Sequence, residues 1–269
     1  MTTGINSYGV NPTIGASQQG LDQALERLSS GQRINSAADD AAGLAISTGL
    51  RSDIQGFSQA SRNASDGISL AQTAEGALGS INDSLQRIRE LGVQASNGTL
   101  NDSDRQAINA EVQQLQDEIN RVAESSNFNG IPLLSDSTSI NLQVGPDGTD
   151  TIATETTNFV EQLQNSGFND IDFSTQAGAQ AALDTIDGIQ EEVNASRSDF
   201  GALINRLDSV TDQLDSSRIN SEAANSRIAD ADFAREVAEK TRNEILLSAS
   251  IIAQTNQNQR GEYVLQLLS

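Results

Sequence analysis

Histidine, cysteine and tryptophan are absent from this chain, proline occurs three times, and lysine occurs once, as Lys240. Without thiols there is no disulfide framework and no sulfur nucleophile. Without histidine, Ser/His/Asp and Cys/His catalysis are excluded, and so is the H-E-x-x-H zinc motif. No Walker loop is present either, so the chain reads as a non-enzyme with no cofactor. Aromatic residues make up only 3% of it. So few rings cannot fill a thick core, which favours long, thin helical packing on narrow stripes of Ala, Leu, Ile and Val. The scarcity of cations leaves a net charge of -21. A nucleic-acid duplex is met by clustered Lys and Arg, so nucleic acid is not an expected partner. The same acidity keeps free copies soluble and mutually repelling, and salt relieves that repulsion. Residues 1–26 contain no Lys or Arg, so the basic start of a cleavable secretory signal is missing. No apolar run reaches about eighteen residues, so membrane insertion is not expected. Acidic pairs at Asp39/Asp40, Asp102/Asp104 and Asp230/Asp232 lack the glycine-containing, Glu-terminated loop of an EF-hand. Helix capping and the N-terminal helix dipole account for them without a metal.

What the chain does have is helical periodicity. Leu21, Ala24, Leu25 and Leu28 share one face of a first helix, expected from Ile5 and weakened by Gly9, Pro12, Gly15 and Gly20. Ser29-Ser30-Gly31 breaks it, and residues 32–43 form a connector. Leu44 to about Ser96 reads as one helix, roughly 80 Å long at about 1.5 Å per residue. Asn97-Gly98 supplies a stop, and Ser103 with Gln106 offers a capping box for the next helix. That helix carries the heptad Ile108, Val112, Leu115, Ile119, Val122. Phe128-Asn129-Gly130-Ile131-Pro132 ends it. Ile140, Leu142 and Val144 then alternate with polar residues, Gly145-Pro146-Asp147-Gly148 turns the chain, and Ile152 lies in a return strand, predicting a hairpin near 139–153. Residues 154–175 are polar around isolated Phe159, Phe168 and Phe173 and are expected to form a short, variable surface segment. Ala177 to about Ile228 is helical again, with Phe200, Leu203, Leu207, Val210 and Leu214 on one seam.

The last forty residues organise the reading. Phe233, Val237, Ile245, Ile251 and Ile252 recur at helical spacing, an amide-rich stretch follows, and the chain closes on the apolar tail Val264, Leu265, Leu267 and Leu268. Chain ends usually fray. Apolar, helix-prone ones at both termini imply pairing with each other and with further molecules. The expected fold is mainly α: an elongated helical bundle or coiled coil with a small β-hairpin, plus a terminal two-helix coiled coil.

The residues themselves are distinctive. The run 28–46 (Leu-Ser-Ser-Gly-Gln-Arg-Ile-Asn-Ser-Ala-Ala-Asp-Asp-Ala-Ala-Gly-Leu-Ala-Ile), the run 85–94 (Leu-Gln-Arg-Ile-Arg-Glu-Leu-Gly-Val-Gln) and Asn127-Phe128-Asn129-Gly130 resemble the N-terminal signatures of bacterial flagellins. The runs 228–234 (Ile-Ala-Asp-Ala-Asp-Phe-Ala) and 251–257 (Ile-Ile-Ala-Gln-Thr-Asn-Gln) resemble their C-terminal signature. The resemblance covers about residues 1–135 and 176–269. It implies a subunit that polymerises with many copies of itself into the flagellar filament for swimming motility. Such subunits are exported unfolded through the flagellar type III apparatus with a chaperone, and assembled under a cap outside the cell. It also implies a discontinuous inner-core domain, 1–43 with 229–269, and an outer-core helical bundle, 44–228. Polymerisation through the inner core would then rest on Leu21, Leu25, Leu28, Ile34, Phe233, Val237, Ile245, Ile251 and Ile252, with Val264, Leu265, Leu267 and Leu268 of the tail. Gln86, Arg87, Leu91 and Gln94 share a helix face, and Asp117 and Arg121 form an i,i+4 pair on the next helix. In flagellins the matching positions contact neighbouring protofilaments, and in many they are read by the vertebrate innate flagellin receptor. An ordinary solvated helix face has the same residue pattern. The chain departs from the family in having Ala38 where Lys is frequent, and Asn258-Gln259-Arg260-Gly261-Glu262-Tyr263 where a proline-containing stretch is usual. Arg260 and Glu262 are expected to line or cap the channel as a pair. Two alternatives share parts of this pattern: a hook-filament junction protein of the same architecture, and a surface adhesin or immune ligand. The long match through both signatures favours the filament subunit.

Overall fold

The computed structural model describes residues 12–268, with side chains described through Arg260. Six helices and two small hairpins follow one another among these residues: α1 (Pro12–Ser30), α2 (Ala41–Ala95), α3 (Asp102–Ser125), β1 (Asn127–Phe128), β2 (Ile131–Pro132), β3 (Ser139–Gln143), β4 (Thr151–Glu155), α4 (Phe159–Asn165), α5 (Gln176–Ala229) and α6 (Phe233–Leu268). The chain divides into two compact units, Met1–Ile54 with Ile219–Ser269, and Gln55–Arg218. The division falls inside α2 and α5.

Within the unit Gln55–Arg218, α2 and α5 run antiparallel. Gly67 faces Leu207, Arg197 reaches Glu75, Arg89 reaches Asp187, and Gly92 faces Leu183, so α5 positions fall as α2 positions rise. Their inward faces are continuous: Leu70, Leu78, Ile81, Leu85, Ile88 and Leu91 on α2, and Ile186, Ile189, Val193, Phe200, Leu203 and Leu207 on α5, all belong to one core. Helix α3 adds Ile108, Val112 and Ile119 to it, while Leu115 and Val122 pack at its edge. The predicted heptad is therefore the buried stripe.

The turn from α2 to α3 is closed by one side chain. Arg105, 6% exposed, donates to the carbonyls of Ala95 (3.1 Å), Asn97 (2.9 Å) and Leu100 (2.7 Å). The end of a helix leaves carbonyls without intrahelical partners, and a rigid guanidinium fork answers three acceptors at once. The capping box is not at Ser103 and Gln106. Asn101 caps α3, with its Oδ1 accepting from Asp104 N (2.9 Å), and Asp104 Oδ2 accepts from Asn101 N in return. Asn101 lies in extended backbone, as an N-cap must. The Asp at the third helical position serves where Glu or Gln is usual.

The Phe128-Asn129-Gly130-Ile131 stretch folds as a two-residue hairpin turn. Asn129 (φ 51°) and Gly130 (φ 81°) both take left-handed backbone there, the conformation an Asn-Gly turn supplies at little cost. The hairpin β3–β4 forms as predicted, with Leu142 opposite Ile152. It is seated on α2 where that helix lacks side chains: Leu142 lies over Gly67 and Pro146 over Gly56. Asn63 Nδ2 donates to the Gln143 carbonyl at 2.9 Å.

Residues 154–175 do not behave as a surface segment. Phe159, Phe168 and Phe173 are 1%, 0% and 0% exposed and close the core beside α3 and α2. Gln116, itself buried, donates to the Phe168 carbonyl (2.6 Å), Asn109 accepts from Phe173 N (2.8 Å), and the Phe173 ring lies against Gly92. A polar stretch with rings at irregular spacing carries no period, so its inward residues are visible only once the chain around them is folded.

The unit Met1–Ile54 with Ile219–Ser269 holds α1, α6 and the connectors beside them. Arg27 approaches Glu236 (3.4 Å) near one end, and Gly20 meets Asn243 further along, so α1 and α6 are antiparallel. The connectors are tied by a short antiparallel bridge between Gln32 and Asp230, with Arg33 N donating to the Ala229 carbonyl (2.7 Å) and Ala231 N to that of Gly31 (3.0 Å). The Arg33 guanidinium adds a bond to the Ile228 carbonyl. Gly31 (φ 71°) makes the left-handed exit from α1. The carboxylate of Asp39 ties the rest of the connector, accepting from Ser36 N (2.9 Å), Ser36 Oγ (3.0 Å) and Asn35 N (3.1 Å). The first helix is described only from Pro12, so its expected stretch from Ile5 lies outside the described residues.

Candidate assembly surface

The seam by which α6 meets α1 is not the apolar one. The covered or half-covered positions of α6 are Glu236, Lys240, Asn243, Leu247, Ser250 and Gln254, a run spaced four, three, four, three, four. Five of the six are polar. On α1 the matching face is Ile14, Ser17, Gly20 or Leu21, Ala24 and Arg27 or Leu28. The large apolar residues of α6 point elsewhere: Phe233, Val237, Ile245, Leu246, Ile251 and Ile252 are 46–64% exposed. Leu25 of α1 is 44% exposed. Large apolar side chains exposed around the side of a helix that faces away from its partner mark a surface that another molecule covers.

Among the sequence-derived assembly residues, Leu25, Phe233, Val237, Ile245, Ile251 and Ile252 are thus presented outward, and Leu21 and Leu28 are half-covered by their own unit. Ile34 is not available to a neighbour. It is 4% exposed, folded under the connector against Gly43. The side chains of Val264, Leu265, Leu267 and Leu268, and the Arg260–Glu262 pairing, lie outside the described residues. Leu246 was missed, although it is adjacent to Ile245 and widens the same face.

A second polar face lies on α2 and α3. Gln86, Arg87 and Gln94 are exposed on α2, but Leu91 is 2% exposed and belongs to the core, so the four do not form one outward face. Leu91 follows Leu85 and Ile88 at threes on the buried stripe, and that period prevails. Arg87 is held by two carboxylates, Glu111 of α3 (2.8 Å) and Glu90 (3.2 Å), which hold its pKa above the usual arginine value. Arg121 pairs with Glu118, one turn away, rather than with Asp117. Hydrogen bonds from Arg121 lower the Glu118 pKa, and the Arg89 guanidinium likewise lowers that of Asp187 (2.6 Å away). These pairs are about half exposed and screened by solvent, so they add little to stability. They fix which way the side chains point. Gln86 and Arg89 also border a polar groove of about 640 Å³ between α2 and α5, with Val93 exposed on its wall and Gln190 and Asn194 opposite. The Glu118 pairing was legible as an i,i+3 spacing, whereas Glu111 sits on another helix and has no sequence signal.

No helix among the described residues is long and apolar enough to cross a membrane. The described residues hold no cluster of three or more acidic side chains placed for a metal ion. What remains is a helical chain with uncovered apolar side chains along α6 and polar faces stiffened by ion pairs.

Comparison with known families accounts for both halves of it. The family model for the bacterial flagellin N-terminal helical region matches residues 2–139, and that for the bacterial flagellin C-terminal helical region matches residues 183–268. The chain belongs to the bacterial flagellin family. The flagellin of Halalkalibacterium halodurans is 45% identical over 247 residues, covering 91% of both chains. The flagellar filament 30.7 kDa core protein of Treponema maltophilum is 35% identical over 279 residues, covering 98% of both. The crystal structure of Bacillus cereus flagellin superposes with a TM-score of 0.52 at 31% identity, over 57% of this chain and 88% of that one. As a flagellin the chain is a structural subunit of the flagellar filament and not an enzyme, and nothing favours a junction protein or an adhesin.

Proposed function

We propose that the filament contact of this flagellin is made by the exposed apolar side chains on the outward side of α6 together with Leu25 of α1, each copy covering those of its neighbours. The observation that carries this is the direction of those side chains: α6 uses a polar seam for its own chain and leaves its large apolar residues uncovered. The magnitudes agree with a polymer rather than a pair. Six half-exposed α6 side chains recover roughly 1 kcal/mol each when covered, about 6 kcal/mol together. Bringing two proteins into a fixed orientation costs on the order of 4–15 kcal/mol. A single neighbour is therefore marginal, and stable association needs several. Different faces meeting head to tail give an open helical array.

In this reading residues 1–43 with 229–269 form the inner core and 44–228 the outer core. The apolar tail residues Val264, Leu265, Leu267 and Leu268 join the same contact. The chain travels unfolded through the flagellar export apparatus with its chaperone, assembles under the cap and works outside the cell. A cysteine-free sequence suits such a route. The face carrying Gln86, Arg87 and Gln94, with Asp117 and Arg121 on α3, makes lateral contacts, and the vertebrate innate flagellin receptor reads this face. Arg87→Ala tests both lateral roles, by filament stability and by receptor-reporter signalling. Removal of Ile251 to Ser269 tests the central reading. Electron microscopy of the truncated chain shows no filaments while circular dichroism of the remaining helices is kept. Normal filaments from the truncated chain would refute it.

A further inference from the structure

The turn between α2 and α3 gathers the parts of a chemical reaction. The chain contains two Asn-Gly pairs, Asn97-Gly98 in that turn and Asn129-Gly130 in the turn between β1 and β2. All four residues are exposed. Such a pair can react with itself, because glycine has no side chain to block attack by its own amide nitrogen on the preceding asparagine side chain.

At Asn97 the surroundings favour each part of that attack. The Gly98 N–H, the nucleophile once deprotonated, has no hydrogen-bond partner among the described residues. Asn97 Oδ1 accepts from Thr99 N at 3.1 Å. That bond is the local turn asparagine favours; it folds the side chain back over the Gly98 peptide and polarises the carbonyl under attack. The oxygen of the peptide joining Asn97 to Gly98 accepts from Arg105 Nη2 (2.9 Å) and from Leu100 N (3.3 Å). When Gly98 N loses its proton, the negative charge is shared with that oxygen. The buried Arg105 guanidinium is thus already aimed at the charge that develops. Asn129 differs. It is held in left-handed backbone (φ 51°) by the hairpin, and its carbonyl oxygen has no donor among the described residues.

We infer that Asn97 is a site of self-modification, its side-chain amide converted by water to aspartate and isoaspartate ahead of Asn129. Hydroxide takes the Gly98 N–H proton, and the nitrogen bonds to Asn97 Cγ. The Cγ–Nδ2 bond then breaks, and Nδ2 leaves as ammonia with a proton from water. Water opens the resulting cyclic imide at either carbonyl, giving aspartate or isoaspartate. Nothing is oxidised or reduced. Either product adds a negative charge just beyond the C-terminal end of α2, where the helix dipole disfavours it. Isoaspartate also lengthens the backbone by a methylene and moves the Asn97 carbonyl off Arg105, leaving a buried cation short of an acceptor. The site is independent of the filament reading.

The experiment incubates the full-length chain in mildly alkaline buffer, with and without urea. Peptide mapping by mass spectrometry follows Asn97 and Asn129, and labelling by an isoaspartyl methyltransferase counts isoaspartate. In the folded chain Asn97 should react at least about tenfold faster than Asn129. In urea, where both pairs lose their surroundings, the two rates should fall within about twofold of each other. Gly98→Ala meets nothing closer than Gln176 at 3.7 Å, so it should keep the parental helicity and suppress the reaction. Arg105→Lys, compared at a temperature where its helicity is parental, should slow Asn97 severalfold and leave Asn129 unchanged. Equal rates in the folded chain, a ratio unaltered by urea, or an Asn97 that stays intact would overturn the inference; the comparison in urea needs no variant to fold. An Asn97 rate unaffected by Arg105→Lys would overturn the part assigned to the guanidinium.

Discussion

Ile245→Gln combined with Ile252→Gln separates assembly from folding. The two side chains lie seven residues apart on α6, hence on one stripe two turns long, and are 64% and 61% exposed. Neither lies on the seam with α1, so the isolated chain loses little. Surface changes of this kind stay within about 0.5 kcal/mol, and Gln is a good helix former. In the filament the exposed part of each isoleucine is covered, a gain of roughly 1.5 kcal/mol per side chain. Replacing both forfeits about 3 kcal/mol per subunit, which raises the critical concentration roughly 100-fold. Sedimentation of polymer against subunit concentration reads this directly, with circular dichroism of the monomer as the control. A critical concentration within about threefold of the parent, at unchanged monomer helicity, would show that the stripe is not covered by neighbours.

Other substitutions probe the scaffold. Arg105→Ala removes a guanidinium from three carbonyls and should destabilise Gln55–Arg218 by about 3–5 kcal/mol in urea unfolding, with Arg105→Lys intermediate; a loss below about 1 kcal/mol would contradict the closing role given to it. Phe173→Ala empties a fully buried site against Gly92 and should cost about 3–5 kcal/mol, whereas a true surface segment would tolerate it. The Asp39, Asp187 and Glu118 pKa values are all lowered, Asp39 first by the Ser36 N–H and the other two by their arginine partners. Their folded-state values lie below the ordinary 3.8 for Asp and 4.5 for Glu. Their contribution to stability is therefore complete above those ordinary values and is lost as pH falls through the lowered ones. Carboxyl NMR titration should find the Asp187 midpoint below 3.8, returning towards it in Arg89→Gln; an ordinary midpoint in the parent chain would remove the ion pair from solution.

Much of this molecule was readable in its residues. The long helices, the stop at Asn97-Gly98, the hairpin around Gly145-Pro146-Asp147-Gly148 and the family signatures each depend on local spacing or local turn chemistry, and each stands where it was expected. The capping box expected at Ser103 and Gln106 forms two residues earlier, at Asn101 and Asp104, where both reciprocal bonds are made.

What spacing alone left open is which neighbour a face meets. Periodicity shows that Phe233, Val237, Ile245 and Ile252 lie on α6 at helical spacing, but an apolar face looks the same in sequence whether its own chain or another copy covers it. Only the folded pair of α1 and α6 reveals that Glu236, Asn243 and Ser250 turn towards α1 while the isoleucines turn away. Leu91, Ile34 and the three phenylalanines of residues 154–175 were settled in the same manner, because burial depends on residues distant along the chain that come close only in three dimensions.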